Sequence, residues 1–183
     1  MSEAGEFQII EQFFTYPSFG AWKSQGVGDD CAIIDTGAGR LAVTCDMTAL
    51  GTHFFPDADP EDVGYKALAV NLSDLAAAGA VPRAFFLSIG LPRRDDGWLA
   101  DFSRGLMALA HESGCALLGG DTTRTPEIDG RHAPATISIT AMGDLPAGMG
   151  LTRSGAQPGD DIWVSGTVGD AYAALMCRRG RWQ

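Results

Sequence analysis

Asp59-Pro60-Glu61-Asp62-Val63-Gly64-Tyr65-Lys66-Ala67-Leu68-Ala69-Val70-Asn71-Leu72-Ser73-Asp74-Leu75-Ala76-Ala77-Ala78-Gly79 is a helix with both ends marked in its own residues. Asp59 is placed to cap it, Pro60 suits the first helical position, and Glu61 and Asp62 face the positive end of the dipole. Gly79 is its stop, with Pro82 beyond. Inside the helix, Asp74 stands among alanine, leucine and valine, and Asn71, three residues earlier, shares its face. A carboxylate is therefore set where an apolar surface belongs.

Strands are expected on either side of this helix. Two precede it, at 31–35 and 41–46, separated by the turn-rich Thr36-Gly37-Ala38-Gly39. Others follow at 84–91, 115–118 and 135–142. A second helix is expected over 95–112, with Trp98, Phe102, Leu106 and Leu109 on one face and Gly114 ending it. Phe7, Ile10, Phe13 and Phe14 recur at helical spacing, so a short amphipathic helix should open the chain. Helices alternate with strands, some of them in hairpin-like pairs. The expected class is α+β, a mixed or antiparallel sheet with helices packed on one face.

Residues 1–146 read as one domain. Pro146-Ala147-Gly148-Met149-Gly150 reads as a linker, and residues 147–183 as linker plus the first elements of a second domain. Those elements are a strand at 161–165 and a helix opened by Gly166-Thr167-Val168-Gly169-Asp170. One strand and one helix do not bury a core alone, so the rest of that domain is expected to lie outside these 183 residues.

Hydrophobic residues make up 45% of the chain and charged residues 20%, enough for a packed core. A net charge of −10 argues against gripping nucleic acid by its phosphates. Cys31, Cys45, Cys115 and Cys177 form no CxxC pair; they read as small hydrophobes in a reducing compartment rather than as zinc ligands or disulfides. The acidic start, Met1-Ser2-Glu3-Ala4-Gly5-Glu6, lacks a secretion signal. No apolar run approaches the ~18–20 residues of a membrane span. A soluble, cytoplasmic protein is expected.

Asp30, Asp46, Asp74 and Asp121 carry the chemistry. A carboxylate buried without a partner is strongly destabilising or takes up a proton. Several that converge repel one another unless a cation joins them, and basic residues nearby are too few. A hard divalent ion, Mg²⁺, is the simplest resolution, since it prefers oxygen ligands and accompanies phosphate substrates. The competing reading for Asp74 is an ion pair with Lys66 or Arg83. Gly119-Gly120-Asp121-Thr122-Thr123-Arg124 offers glycines that let backbone N–H groups approach a phosphate, or simply a tight turn. His53 reads as a substrate-phosphate contact or a surface loop histidine. Neither GxxxxGK[ST], GxGxxG nor Gly-x-Ser-x-Gly is present.

Gly5-Glu6-Phe7, Gly26-Val27-Gly28-Asp29-Asp30-Cys31-Ala32, the run Tyr65 to Ala77, Gly119 to Arg124, and Leu151-Thr152-Arg153-Ser154-Gly155-Ala156 together resemble thiamine-monophosphate kinase. The resemblance covers nearly the whole chain in the same order. It implies ATP- and Mg²⁺-dependent phosphorylation of thiamine monophosphate to thiamine diphosphate. It also implies the fold shared with aminoimidazole-ribonucleotide synthetase, selenophosphate synthetase and hydrogenase-maturation proteins, and a homodimer paired through its sheets with nucleotide sites beside the interface. By position it assigns Asp30, Thr44, Cys45 (through its carbonyl), Asp46, Asp74 and Asp121 to metal. Gly120, Asp121 and Arg153 fall to the nucleotide and His53 to the thiamine phosphate, with no catalytic residue beyond the metal ligands. Cys45-Asp46-Met47 departs from the family's common Thr-Asp-Thr, and the family's later Ser-Asp-Gly and Gly-Gly-Glu-Asp motifs have no counterpart here. Two other functions stay open: a non-catalytic dimerisation and metal-binding module, and a same-fold ATP-dependent enzyme with another acceptor.

Overall fold

The marked helix forms as written. In the computed structural model, which describes residues 10, 24–25, 29–164 and 166–181, helix α1 spans Pro60–Ala77, and Asp59 caps it by accepting from the Glu61 N–H at 2.9 Å. Helix α2 spans Asp96–Ser113; the Asp95 carboxylate accepts from the Trp98 N–H, and Gly114 ends the helix in the left-handed conformation at φ 65°. Of its expected apolar face, Phe102, Leu106 and Leu109 are buried, and Trp98 stacks on Phe102 with centroids 5.0 Å apart. The opening helix expected around Phe7–Phe14 lies outside the described residues apart from Ile10, which is helical.

The strands are β1 (Ser24–Gln25), β2 (Ala32–Asp35), β3 (Arg40–Ala49), β4 (Val81–Leu91), β5 (Ala116–Arg124), β6 (Glu127–Ile128), β7 (Arg131–His132) and β8 (Thr136–Leu145). Six form one sheet in the order β1-β2-β3-β8-β4-β5. All pairs are antiparallel except β4–β5, which is parallel and bridged by α2 as a crossover. The α+β mixed sheet expected from the sequence is what forms.

α1 lies on β3 and β8, and α2 lies on α1. Along β3 the alternation is plain: Ala42, Thr44 and Thr48 are buried towards α1, while Cys45 and Met47 are exposed on the other face. Ile137, Ile139 and Ala141 of β8 complete the buried face. The two helices touch backbone to backbone. A Cβ on Gly64 would lie 2.0 Å from the Phe102 carbonyl oxygen, and one on Gly105 would lie 1.9 Å from that of Glu61. Two glycines that look like weak points in their helices are the reason α2 can sit so close.

Two local expectations are corrected, and one hairpin is added to what the sequence offered. Gly119-Gly120-Asp121 is not a corner after a short strand; β5 continues through it to Arg124, because pairing with β4 resumes past a one-residue bulge at Leu118. Residues 127–132 form a hairpin around Asp129 (φ 53°) and Gly130 (φ 72°), a two-residue turn that Asp-Gly favours. Residues 161–164 are not a strand, since no described strand in that part of the chain pairs with them.

The chain divides into two compact units, residues 1–153 and 154–183. The segment read as a linker runs along the first unit: Arg40 Nη1 donates to the Met149 carbonyl at 2.9 Å, and the Leu151 N–H donates to that of Ala78 at 3.0 Å. In the second unit, helix α3 (Asp170–Arg178) buries Met176, while Ile162, Trp163, Val164 and Val168 are exposed.

Candidate functional site

Four segments bring polar groups to the buried end of α1. Thr44 on β3 donates its hydroxyl hydrogen to Asp74 Oδ2 at 2.7 Å. The Asp46 backbone N–H donates to Asn71 Oδ1 at 3.2 Å, and Asn71, fully buried, donates from Nδ2 to the Ala67 carbonyl at 3.0 Å. Asn71 thereby fixes α1 against β3 at the level of Asp46. Just before β2, Asp30 accepts from Arg153 Nη2 at 2.5 Å and from its Nε at 3.2 Å, and Asp29 accepts from the Arg153 backbone N–H at 2.7 Å. Asp30, Asp46 and Asp74 are all half-buried. The rest of the glycine turn, residues 26–28, lies outside the described residues.

The ion pairs that offered another explanation for Asp74 do not form. Lys66 Nζ donates to the His53 carbonyl at 2.6 Å, and Arg83 pairs with Asp144 at 2.7 Å. Asp74 instead sits within the field of Arg153, whose guanidinium is held charged first by its hydrogen bond to Asp30, then by the Asp30, Asp29 and Asp74 charges. The same negative cluster acts on Cys31, between Asp30 and β2. Burial, then the charges of Asp74 and Asp30, push its thiol up to about 11, and it donates to the Asp74 carbonyl at 3.3 Å.

Other expected site residues stand apart. The Cys45 thiol is on the open face of the sheet, near the hydroxyls of Ser138 (3.6 Å) and Thr140 (3.3 Å), opposite to Thr44 and Asp46. Asp121 is exposed on β5, in the row Met47–Ser138–Ser88–Asp121, and so also belongs to the open face. The Asp46 row reaches β5 at Gly120, three strand spacings or about 14 Å away. Gly120 holds φ 149°, where a Cβ would lie 1.7 Å from the Leu87 carbonyl oxygen. Its lack of a side chain is required by the pairing itself. His53 is exposed in the turn after β3, where its Nδ1 accepts from the Ala49 N–H at 3.0 Å, placing the proton of the neutral ring on Nε2. Beside that turn, Leu50, Phe54, Phe55, Arg93 and Trp98 line a cleft of about 190 Å³.

The donor set around Asp74 consists of carboxylate and hydroxyl oxygens, which suits a hard cation. Among the described residues, no three carboxylate, imidazole or thiol groups converge closely enough to hold a metal as they stand. The positive charge at this place is the Arg153 guanidinium. Asn71 and Asp29 are the residues the sequence reading did not assign to the site. Each had a visible signal: an amide in an apolar helix, and a second acid beside Asp30.

Residues 28–145 match the model of the AIR synthase related protein, N-terminal domain. The chain belongs to that family. It is 44% identical over 181 residues to a thiamine-monophosphate kinase of Salmonella typhimurium, covering 98% of this chain and 53% of that relative. It is 33% identical over 173 residues to one of Bacillus subtilis, covering 93% and 51%. Among solved structures, a thiamine-monophosphate kinase from Stenotrophomonas maltophilia K279a matches with TM-score 0.71 at 45% identity, covering 87% of this chain and 48% of that one. AaThiL complexed with AMPPCP and TMP matches with TM-score 0.75 at 30% identity, covering 86% and 48%. The resemblance read from the motifs is thus borne out. This AIR synthase related chain spans about half the length of the curated relatives it matches.

Proposed function

We propose that this chain is the metal- and nucleotide-binding part of an ATP-dependent kinase that converts thiamine monophosphate to thiamine diphosphate. The observation that carries the reading is that Arg153, paired with Asp30, also lies in the field of Asp74, which accepts from Thr44, in a chain so similar to proteins of that name. Asp30, Thr44, Asp46 and Asp74 are the residues that would hold Mg²⁺, with the carbonyl of Cys45 as a further oxygen donor, while Asp121, on the open face of the sheet, stands apart from that set. When bound, Mg²⁺ supplies neutralisation of phosphate charge for in-line transfer.

This chain's own residues do the rest by placement. Arg153 leaves Asp30 to meet the nucleotide phosphates, and Gly120 on β5 is the further nucleotide contact that the resemblance assigns. His53 offers its Nε2–H to the acceptor phosphate, and the aromatic cleft beside it receives the acceptor's rings. A phosphate monoester oxygen is anionic near neutral pH, so no strong general base is needed, and the rate comes from position and charge. The open sheet face, with Met47, Phe86 and Leu118 exposed, is the surface through which two copies pair. The working compartment is the cytoplasm, consistent with four free cysteines, and among the described residues no helix is long and apolar enough to cross a membrane.

The test is formation of thiamine diphosphate from ATP, Mg²⁺ and thiamine monophosphate by the protein carrying this chain. Asp74→Asn should lower the rate at least a hundredfold. Unchanged turnover by that variant refutes the assignment. A second reading is favoured by the exposed apolar run Ile162–Val164 beside one short helix: residues 1–183 alone act as a binding and pairing module without turnover. Robust kinase activity of residues 1–183 would exclude it.

A further inference from the structure

Arginines gather at one place beside the acceptor cleft, with which it shares Leu91 and Arg93. Beyond the C-terminal ends of the parallel strands β4 and β5, a cleft of about 510 Å³ is lined by Leu91, Arg93, Arg94, Asp96, Thr122 and Arg124, together with Leu99 and Thr123. This is the crevice at the strand ends where open sheets commonly take ligands. Its size is that of a small-molecule site rather than of one bound ion. Thr122 and Arg124 alternate with Asp121 and Thr123 along β5. Thr122 pairs with the buried Ile89 and so turns towards α2, away from the open face that holds Asp121.

The charge here runs against that of the chain, which is −10 with thirteen basic residues. Three guanidinium groups face one carboxylate, Asp96, and that carboxylate is already taken by Arg94 at 2.5 Å and 3.2 Å. Among the described residues, Arg93 and Arg124 have no carboxylate within 4.0 Å, whereas Arg83, Arg94, Arg104 and Arg153 are all paired. Two uncommitted guanidinium groups and the Thr122 hydroxyl supply donors at a largely apolar lining, and planar guanidinium is suited to phosphate oxygens. Leu91 and Leu99 supply an apolar wall for an organic group.

We infer that this cleft binds the phosphate chain of a polyphosphorylated organic anion through Arg93, Arg124 and the Thr122 hydroxyl, without a metal ion. The site is separate from the Asp74 cluster and stands whether or not that cluster binds Mg²⁺. Titration calorimetry of residues 1–183 with inorganic tripolyphosphate in EDTA tests it, since chelation silences the metal-dependent site. The wild type should bind saturably, with affinity falling as salt rises. Arg93→Gln/Arg124→Gln should weaken binding by at least tenfold, about tenfold being usual for a lost charged hydrogen bond. Arg83→Gln, at the opposite end of β4, should change it by less than about twofold, as expected for a screened surface charge. In the wild type, the Nε–H resonances of Arg93 and Arg124 should shift with the same saturation curve, a readout independent of how any variant folds. No saturable binding by the wild type, equal affinity in the double variant, equal loss in Arg83→Gln, or unmoved arginine resonances would each overturn the assignment.

Discussion

Arg153 and Asp30 are 123 residues apart and share a two-armed contact, Nη2 at 2.5 Å and Nε at 3.2 Å from one carboxylate oxygen. That contact ties the end of the strap after β8 to the entrance of β2. It also places a permanent cation among Asp29, Asp30 and Asp74, the charge balance that a divalent ion would otherwise supply. Arg153 is therefore both a neutraliser of the carboxylate cluster and, in the proposed function, a nucleotide ligand.

Replacing Arg153 separates these roles. Arg153→Gln removes a competitor for Asp30, so Mg²⁺ affinity should rise. The pair is partly exposed and screened by solvent, so the gain is at most about fivefold. Nucleotide affinity should fall in the same variant. Calorimetric titrations with Mg²⁺ alone and with a non-hydrolysable ATP analogue measure both; parallel losses would show that Arg153 merely supports the fold.

The helix crossing depends on two missing side chains. Gly64→Ala and Gly105→Ala each improve intrinsic helix propensity by about 1 kcal/mol, yet each drives a Cβ to 2.0 Å or less from a facing carbonyl oxygen. Overpacking of this kind costs about 1–3 kcal/mol, and a backbone neighbour cannot rotate away. Both variants should melt several degrees below the wild type by circular dichroism. A rise in melting temperature would mean that the helices do not meet there.

Thiol chemistry reports the burial of the cluster. Cys45 and Cys177 are exposed and should react rapidly with an aromatic disulfide at pH 8; Cys31 and Cys115 should react only on unfolding. The Cys31 thiol is pushed up to about 11 from an unfolded value of 9.0. The folded state holds this proton longer, so its contribution is complete below pH 9 and is lost as pH rises towards 11. Stability measured by urea unfolding should fall across that window, and less steeply in Cys31→Ala. Four thiols reacting at pH 8 in the folded chain would contradict this placement.

Local chemistry made both long helices legible, because Asp59, Pro60, Asp95 and Gly114 act within a turn of themselves. The same reasoning failed at Gly119-Gly120, which reads locally as a turn and is kept extended only by pairing with β4. It also could not place Asp121. A single bulged residue, Leu118, decides which face every later residue of β5 takes, and one residue of register exchanges the faces. Asp30 and Asp74 were recognisable as misplaced charges. Their partners, Arg153 and Thr44, come from distant segments brought in by tertiary folding.

Titration of Mg²⁺ into the wild type and Asp74→Asn, followed by calorimetry, bears most directly on the carboxylate cluster. Saturable binding by the wild type, weakened at least tenfold by the loss of one carboxylate while the metal-free melting temperature stays within a few degrees, is the predicted result. Identical Mg²⁺ affinity in the two proteins would contradict the cation site at Asp74, and with it the phosphoryl-transfer function built upon it.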